Sequence, residues 1–424
     1  MIVDYFTKEE LEERRNKLLE NIDDFSIVLL FSGVPKMETA DEEYYFSVNR
    51  NFYYLSQIDQ ADSVLLMVKT PVNSEKYLFI KQFDEKKERW TGKTLKKEEA
   101  CQLSGLDNVL FRDTFKAKFK MILEELHANA SKVNIYLDLE PEIKIDTEFS
   151  TNSAKQLLLD KYDFVEVKDV YGLIISQRMV KSHAEIQHIK EAIRITRNAL
   201  DEVMLNLRPG LYEYHLASVF EYSLRKQGNY YPSFNTIAAG GENATILHHP
   251  IPDGLLNDGE CILFDLGCQY RHYCSDISRD YPINGKFDEK QKQIYQIVLD
   301  CNKYIISKIQ PGITIKELQE LTIKFFCEKL KEIELIKDDS EINEYYFHNV
   351  SHHLGLDTHD PSYREKPLEP GNIITVEPGL YIRQLKMGFR VEDDILVTVS
   401  GNINLSDSII KEVKDIEKLM STRK

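Results

Sequence analysis

Four carboxylates sit inside runs of residues that fold by leaving water, and that conflict narrows what this chain can become. Asp265 closes the apolar run Cys261-Ile262-Leu263-Phe264, and Asp276 precedes Ile277 eleven residues later. Glu377 ends Ile373-Ile374-Thr375-Val376, and Glu392 follows Phe389-Arg390-Val391. His352 has a similarly odd setting, in FHNVSHHLGLDTHD. Strand-type residues on both sides of Gly267 place Asp265 and Asp276 on neighbouring strands. Burying an ionised carboxylate costs several kcal/mol even after relaxation, so four together need compensation. Two divalent cations supply it: their four positive charges balance the carboxylates, and the imidazole adds a neutral donor. An oxygen-rich set suits Mn²⁺, and Zn²⁺, Co²⁺ or Fe²⁺ less distinctively. Paired metals share a water and lower its pKa, which is the equipment of metal-assisted hydrolysis.

At 424 residues the chain exceeds the ~250–300 at which one core stops growing, so two domains are expected. A net charge of −16 disfavours nucleic acid and anionic membrane as main partners. The N-terminus MIVDYFTKEELEERRNKLLE is no secretory signal, and no apolar run approaches the ~18 residues of a membrane span. Six scattered cysteines without a C-x-x-C pair fit reduced thiols, so a cytoplasmic protein is expected.

Thr7 and Glu10 form a capping box that opens a helix to about Ile22. Strands are predicted over Ser26–Phe31, Val64–Val68, Tyr77–Ile80 and Val133–Leu137, with a helix over Phe115–Asn129. These make an α/β domain of residues 1–170, followed by a linker, 171–181, and a second domain, 182–424. Ser182 and Glu185 box a long helix that stops at Pro209-Gly210, and another helix follows from Glu213. A helix from Asp288, a stop at Pro311-Gly312 and a box of Thr314 and Glu317 repeat that order, which hints at internal duplication. Lys337–Glu344 reads as a solvated acidic loop.

The residues around the five ligands say more than their spacing. Asp265-x10-Asp276, SHHLGLDTHD (351–360), VEPGLY (376–381) and RVEDD (390–394) closely resemble the metallopeptidases of the creatinase, or pita-bread, fold. Within that fold they are most similar to aminopeptidase P, the Xaa-Pro aminopeptidases. ADEEYYFSVNRNFYYLSQID (40–59) is similar to that family's N-terminal domain, and NTIAAGGENATILHH (235–249) to the start of its active site. The resemblance implies a smaller N-terminal α/β domain and a C-terminal pita-bread catalytic domain with pseudo-twofold duplication. It implies a cytosolic hydrolase that cleaves the N-terminal Xaa-Pro bond of peptides by attack of a metal-bridging hydroxide. By motif, Asp265 binds one metal, Asp276 and Glu392 bridge both, and His352 and Glu377 bind the other. Glu377 also relays a proton. His248 and His359 hydrogen-bond the scissile carbonyl and oxyanion. His348 lines the proline pocket, with Arg390 and Tyr381 beside it, and Trp90 reaches a neighbouring subunit's site in a homodimer or homotetramer.

Two departures from the family stand out. Phe234 replaces a frequent Tyr and lacks its hydroxyl, and only 14 residues separate Glu377 from Glu392. His249 and His353 are read as structural. So are His183, His188, His215 and His272, while Cys268 and Cys274 receive no role. Trp90 in KKERWTGKTL reads equally well as an exposed aromatic in a charged loop. A Xaa-Pro dipeptidase on the same fold is the second reading, and a metal-free binding module the third.

Overall fold

A computed structural model describes residues 6–139 and 151–423. Contacts divide the chain into two units, one ending at Arg178 and the other beginning at Met179. The first unit is built on β1 (Ser26–Phe31), β2 (Val64–Lys69), β3 (Ser74–Ile80), β4 (Val109–Phe111), β5 (Val133–Leu137) and β6 (Val165–Asp169). They form one sheet in the order β4-β3-β2-β1-β5-β6. Leu29 of β1 pairs with Leu66 across the antiparallel β1–β2 ladder and with Leu137 across the parallel β1–β5 ladder. This apolar row runs through a core closed by Phe119, Ile122, Leu123 and Leu126 of the helix Phe115–Asn129.

The first helix covers Lys8–Glu20, two residues short of the expected end. Thr7 accepts from the Glu10 amide, while the Glu10 carboxylate accepts from Arg14 Nη2 at 2.6 Å. Residues 84–92 form no loop: Asp84 accepts from the Lys86 amide at the start of a helix, Glu85–Thr91. The expected linker likewise holds a helix, Tyr171–Arg178, opened by Asp169 accepting from the Tyr171 amide.

In the second unit, pairs of helices alternate with sets of strands. His183–Asn206 and Glu213–Lys226 precede β7 (Ile237–Gly240), β8 (Cys261–Leu266), β9 (Gln269–Tyr270), β10 (Tyr273–Cys274) and β11 (Ile277–Pro282). Glu289–Ile306 and Ile315–Glu332 precede β12 (Ile373–Val376), β13 (Gly379–Ile382), β14 (Met387–Arg390), β15 (Asp393–Thr398) and β16 (Gly401–Asn404). Ser182, Asp288 and Thr314 all close reciprocal capping boxes. The strands pair as β11-β8-β7, β12-β15-β16, β13–β14 and β9–β10. Arg271 and His272 turn the β9–β10 hairpin with φ of 53° and 67°, the left-handed pair that two-residue hairpins require. Within Lys337–Glu344, Asp338 accepts from the Ser340 amide and nucleates a 3-10 turn over Asp339–Glu344. Among the described residues, no helix is long and apolar enough to cross a membrane.

Candidate metal centre

Strand register brings the carboxylates together. Asp265 near the end of β8 faces Ser278 of β11 on one side and Ile237 of β7 on the other, and Asp276 lies just before β11. Glu377 follows β12, and Glu392 sits between β14 and β15. Their carriers are tied at one point. The buried Asn302 amide donates to the carbonyls of Val376 and Val391, the residues before Glu377 and Glu392, at 3.0 and 3.2 Å. His352 lies on an irregular segment laid along β12, where the Thr375 amide donates to its carbonyl and the Glu377 amide to that of Val350.

One ligand atom from each of Asp276, His352 and Glu392 lies within 4.8 Å of the others. His352 Nε2 is 3.4 Å from Asp276 Oδ2 and 3.5 Å from Glu377 Oε1. Asp265 joins through Arg390, whose Nη2 donates to its Oδ2 at 2.7 Å, while Asp265 Oδ1 is buried without a hydrogen-bond partner. Burial, followed by repulsion from Asp265, pushes the Asp276 carboxyl well above the usual range. Glu392 rises for the same reasons, burial first and then Asp276. Burial also raises Glu377, against the opposing pull of His352 and Arg390. Hard oxygens, one imidazole nitrogen, an orphaned carboxylate oxygen and mutual repulsion are the properties of a site that takes divalent cations.

A ring of donors surrounds this set. Arg390 Nη1 donates to Tyr381 Oη at 2.9 Å and Nε to Ser278 Oγ at 2.8 Å, and Ser278 Oγ donates to Glu392 Oε2 at 2.8 Å. Tyr381 Oη is 3.0 Å from His348 Nε2. Burial and then Arg390 depress His348 to about 3. The His359 ring lies 4.4 Å from that of His352, and burial followed by His352 depresses it to about 4. His248, on an exposed turn, is near enough for its charge to depress both His348 and His359. Ten of the eleven expected site residues thus lie in the second unit, around one centre. Trp90 belongs to the first unit, where it is 90% exposed.

The short 377–392 segment is the β13–β14 hairpin, turned by a 3-10 step at Arg383–Leu385. It packs flush on the turn Gly241–Thr245: a Cβ on Gly388 would sit 1.9 Å from the Ala244 carbonyl oxygen. Phe234 is partly buried. Beside it, Ser233 bonds the Gly267 and Ser275 carbonyls, and Thr358 donates to the Ser233 carbonyl. The sequence reading missed Ser278 and Asn302. Ser278 follows Asp276 at the strand period of two, and that alternation was its available signal.

Residues 187–399, half of the chain, match the model of metallopeptidase family M24. The chain belongs to that family. Residues 11–132 of this M24 peptidase match the N-terminal domain of aminopeptidase P. It is 34% identical to a Xaa-Pro aminopeptidase of Haemophilus influenzae, over 98% of this chain and 97% of the relative. A structure of a candidate aminopeptidase P from Bacillus anthracis superposes with a TM-score of 0.94 at 39% identity, covering 98% and 99% of the two chains. Aminopeptidase P from Escherichia coli with the inhibitor Pro-Leu gives 0.89 at 30% identity, covering 98% and 99%.

Proposed function

We propose that this M24 peptidase removes one residue from the N-terminus of peptides whose second residue is proline. One observation carries the reading: four carboxylates and His352 converge in a chain similar to a Xaa-Pro aminopeptidase along nearly its whole length. Asp265 is assigned to one divalent cation, Asp276 and Glu392 to both, and His352 and Glu377 to the second, with Mn²⁺ the first candidate. When bound, the cations polarise the scissile carbonyl and activate a water for attack.

The chain's own groups do the rest. Glu377 is assigned the proton released during attack and its return to the leaving amine. His359 and His248 donate N–H bonds to the carbonyl as it gains negative charge. His348, Tyr346, Phe347 and Tyr381 give an aromatic wall suited to a proline ring, which has no N–H to satisfy. Arg390 steadies that wall and Asp265 together. Trp90 is assigned to contact with a second subunit of a cytoplasmic homodimer or homotetramer.

The test is hydrolysis of an Xaa-Pro-Yaa tripeptide and an Xaa-Pro dipeptide by chelated, Mn²⁺-reconstituted protein, with Asp276→Ala as control. Tripeptide cleavage that needs both metal and Asp276 supports the aminopeptidase. Cleavage of the dipeptide alone makes the chain a Xaa-Pro dipeptidase, and no metal-dependent cleavage of either refutes both.

A further inference from the structure

A second buried acid outside the metal centre organises the segment that carries His248. Glu213 opens the helix Glu213–Lys226 and is fully buried. Its carboxylate meets four donors. Oε1 accepts from the Gly240 amide at 2.6 Å and Asn243 Nδ2 at 2.9 Å. Oε2 accepts from His249 Nε2 at 3.0 Å and the Gly254 amide at 2.8 Å. The Glu213 amide donates in turn to the Gly254 carbonyl at 2.9 Å. The fit is close, since a Cβ on Gly254 would lie 2.6 Å from Asn243 Nδ2 and 2.7 Å from Glu213 Oε1.

Glu213, His249 and Asp253 cluster as metal ligands do. Both Glu213 oxygens already accept two hydrogen bonds each, however, and Asp253 is exposed. Four donors aimed at one carboxylate occupy the space a cation would need. The carboxylate only accepts, so the His249 proton sits on Nε2.

The four contacts fall at the beginning, middle and end of residues 240–254. After the turn Gly241–Thr245 this stretch has no regular structure, and His248 projects from it beside His249. We propose that Glu213 is a positioning residue for His248, fixing through one carboxylate a segment that nothing periodic holds. The proposal rests on the assignment of His248 to the substrate carbonyl. A displacement of about 1 Å in such a group lowers turnover by ~10²-fold.

Glu213→Gln is nearly isosteric, but its amide NH₂ faces donors it cannot satisfy. In the Mn²⁺-loaded full chain, kcat on an Xaa-Pro-Yaa tripeptide should fall by about 10- to 100-fold, with KM and bound metal little changed. Hydrogen exchange across 240–254 should quicken in both metal-free and metal-loaded protein. In a His248→Ala background, Glu213→Gln should slow turnover no further, because the group it positions is gone. Parent-like kcat or exchange in Glu213→Gln, beside a slow His248→Ala, overturns the proposal alone. So does a loss that multiplies with that of His248→Ala. A full-speed His248→Ala refutes the assignment of His248, and the proposal falls with it. Should Glu213→Gln fail to fold, His249→Gln severs one of the four bonds and carries the same comparison.

Discussion

Replacing Lys181 by methionine probes a buried charge pair beneath the His359 segment. Lys181 Nζ lies 2.9 Å from Asp360 Oδ2, with 1% of each side chain exposed. Asp360 Oδ1 also accepts from the Asp357 amide, and the Asp360 amide donates to the His353 carbonyl, so the pair anchors the stretch holding His352 and His359. Methionine keeps most of the stem's volume and removes the ammonium. Removing one partner of such a pair costs about 3–5 kcal/mol. At about 2–4 °C per kcal/mol for a unit of this size, Tm should drop by about 6–20 °C. Removing both charges in Lys181→Met/Asp360→Leu should restore most of the loss, because an apolar pair needs no mutual compensation. Thermal melts of parent, single and double variants at one neutral pH decide it. A drop below about 2 °C for Lys181→Met, or a double variant no more stable than the single, would refute the reasoning.

Other perturbations separate the remaining parts of the site. Asn302→Leu leaves the Val376 and Val391 carbonyls without their shared donor, and Mn²⁺ affinity should weaken about 10- to 100-fold in calorimetric titration; an unchanged isotherm counts against the tie between the two carboxylates. Arg390→Lys keeps the charge but not the three-way fork to Asp265, Tyr381 and Ser278, so a similar loss of affinity is expected, with the fold intact by circular dichroism. Burial depresses His348 and His353 to about 3 and His359 to about 4, below the ordinary ~6.5, so the unfolded chain binds more protons between those limits. The histidines' share of stability should therefore fall as pH drops from about 6.5 towards about 4, against the opposite share of the raised Asp276, Glu377 and Glu392 carboxyls. The check is site-resolved: an NMR titration in which the His353 imidazole protonates near its ordinary ~6.5 in the native protein would contradict the buried neutral imidazoles.

The converging carboxylates were legible because a carboxylate in an apolar run contradicts its own surroundings, and that contradiction is local. Capping boxes at Ser182 and Thr314 were legible for the same reason, being four residues long. Glu213, Lys181 and Asn302 were not. Each is a polar residue in or beside a helix, which reads as a solvated face, and their partners lie far along the chain: 27 positions for Glu213–Gly240 and 179 for Lys181–Asp360. Asn302 did leave a trace, since it falls in the stripe of Ile294, Val298 and Ile305 on the buried side of its helix. Charge density misled at Trp90, where Asp84 and the residues after it wind into a helix.

The bonds that close the centre also set a timetable. Arg390 meets Asp265 across 125 positions and Ser278 meets Glu392 across 114. Such distant pairings form late in folding, because the chain between them must be ordered first. During synthesis Asp265 and Asp276 leave the ribosome long before Glu377, Arg390 and Glu392, and a chain stopped short of β14 has neither the fork that holds Asp265 nor the second pair of carboxylates. Hydrolytic competence is thus a certificate of completion: peptides near a half-made molecule meet an N-terminal domain and some strands, and no peptidase.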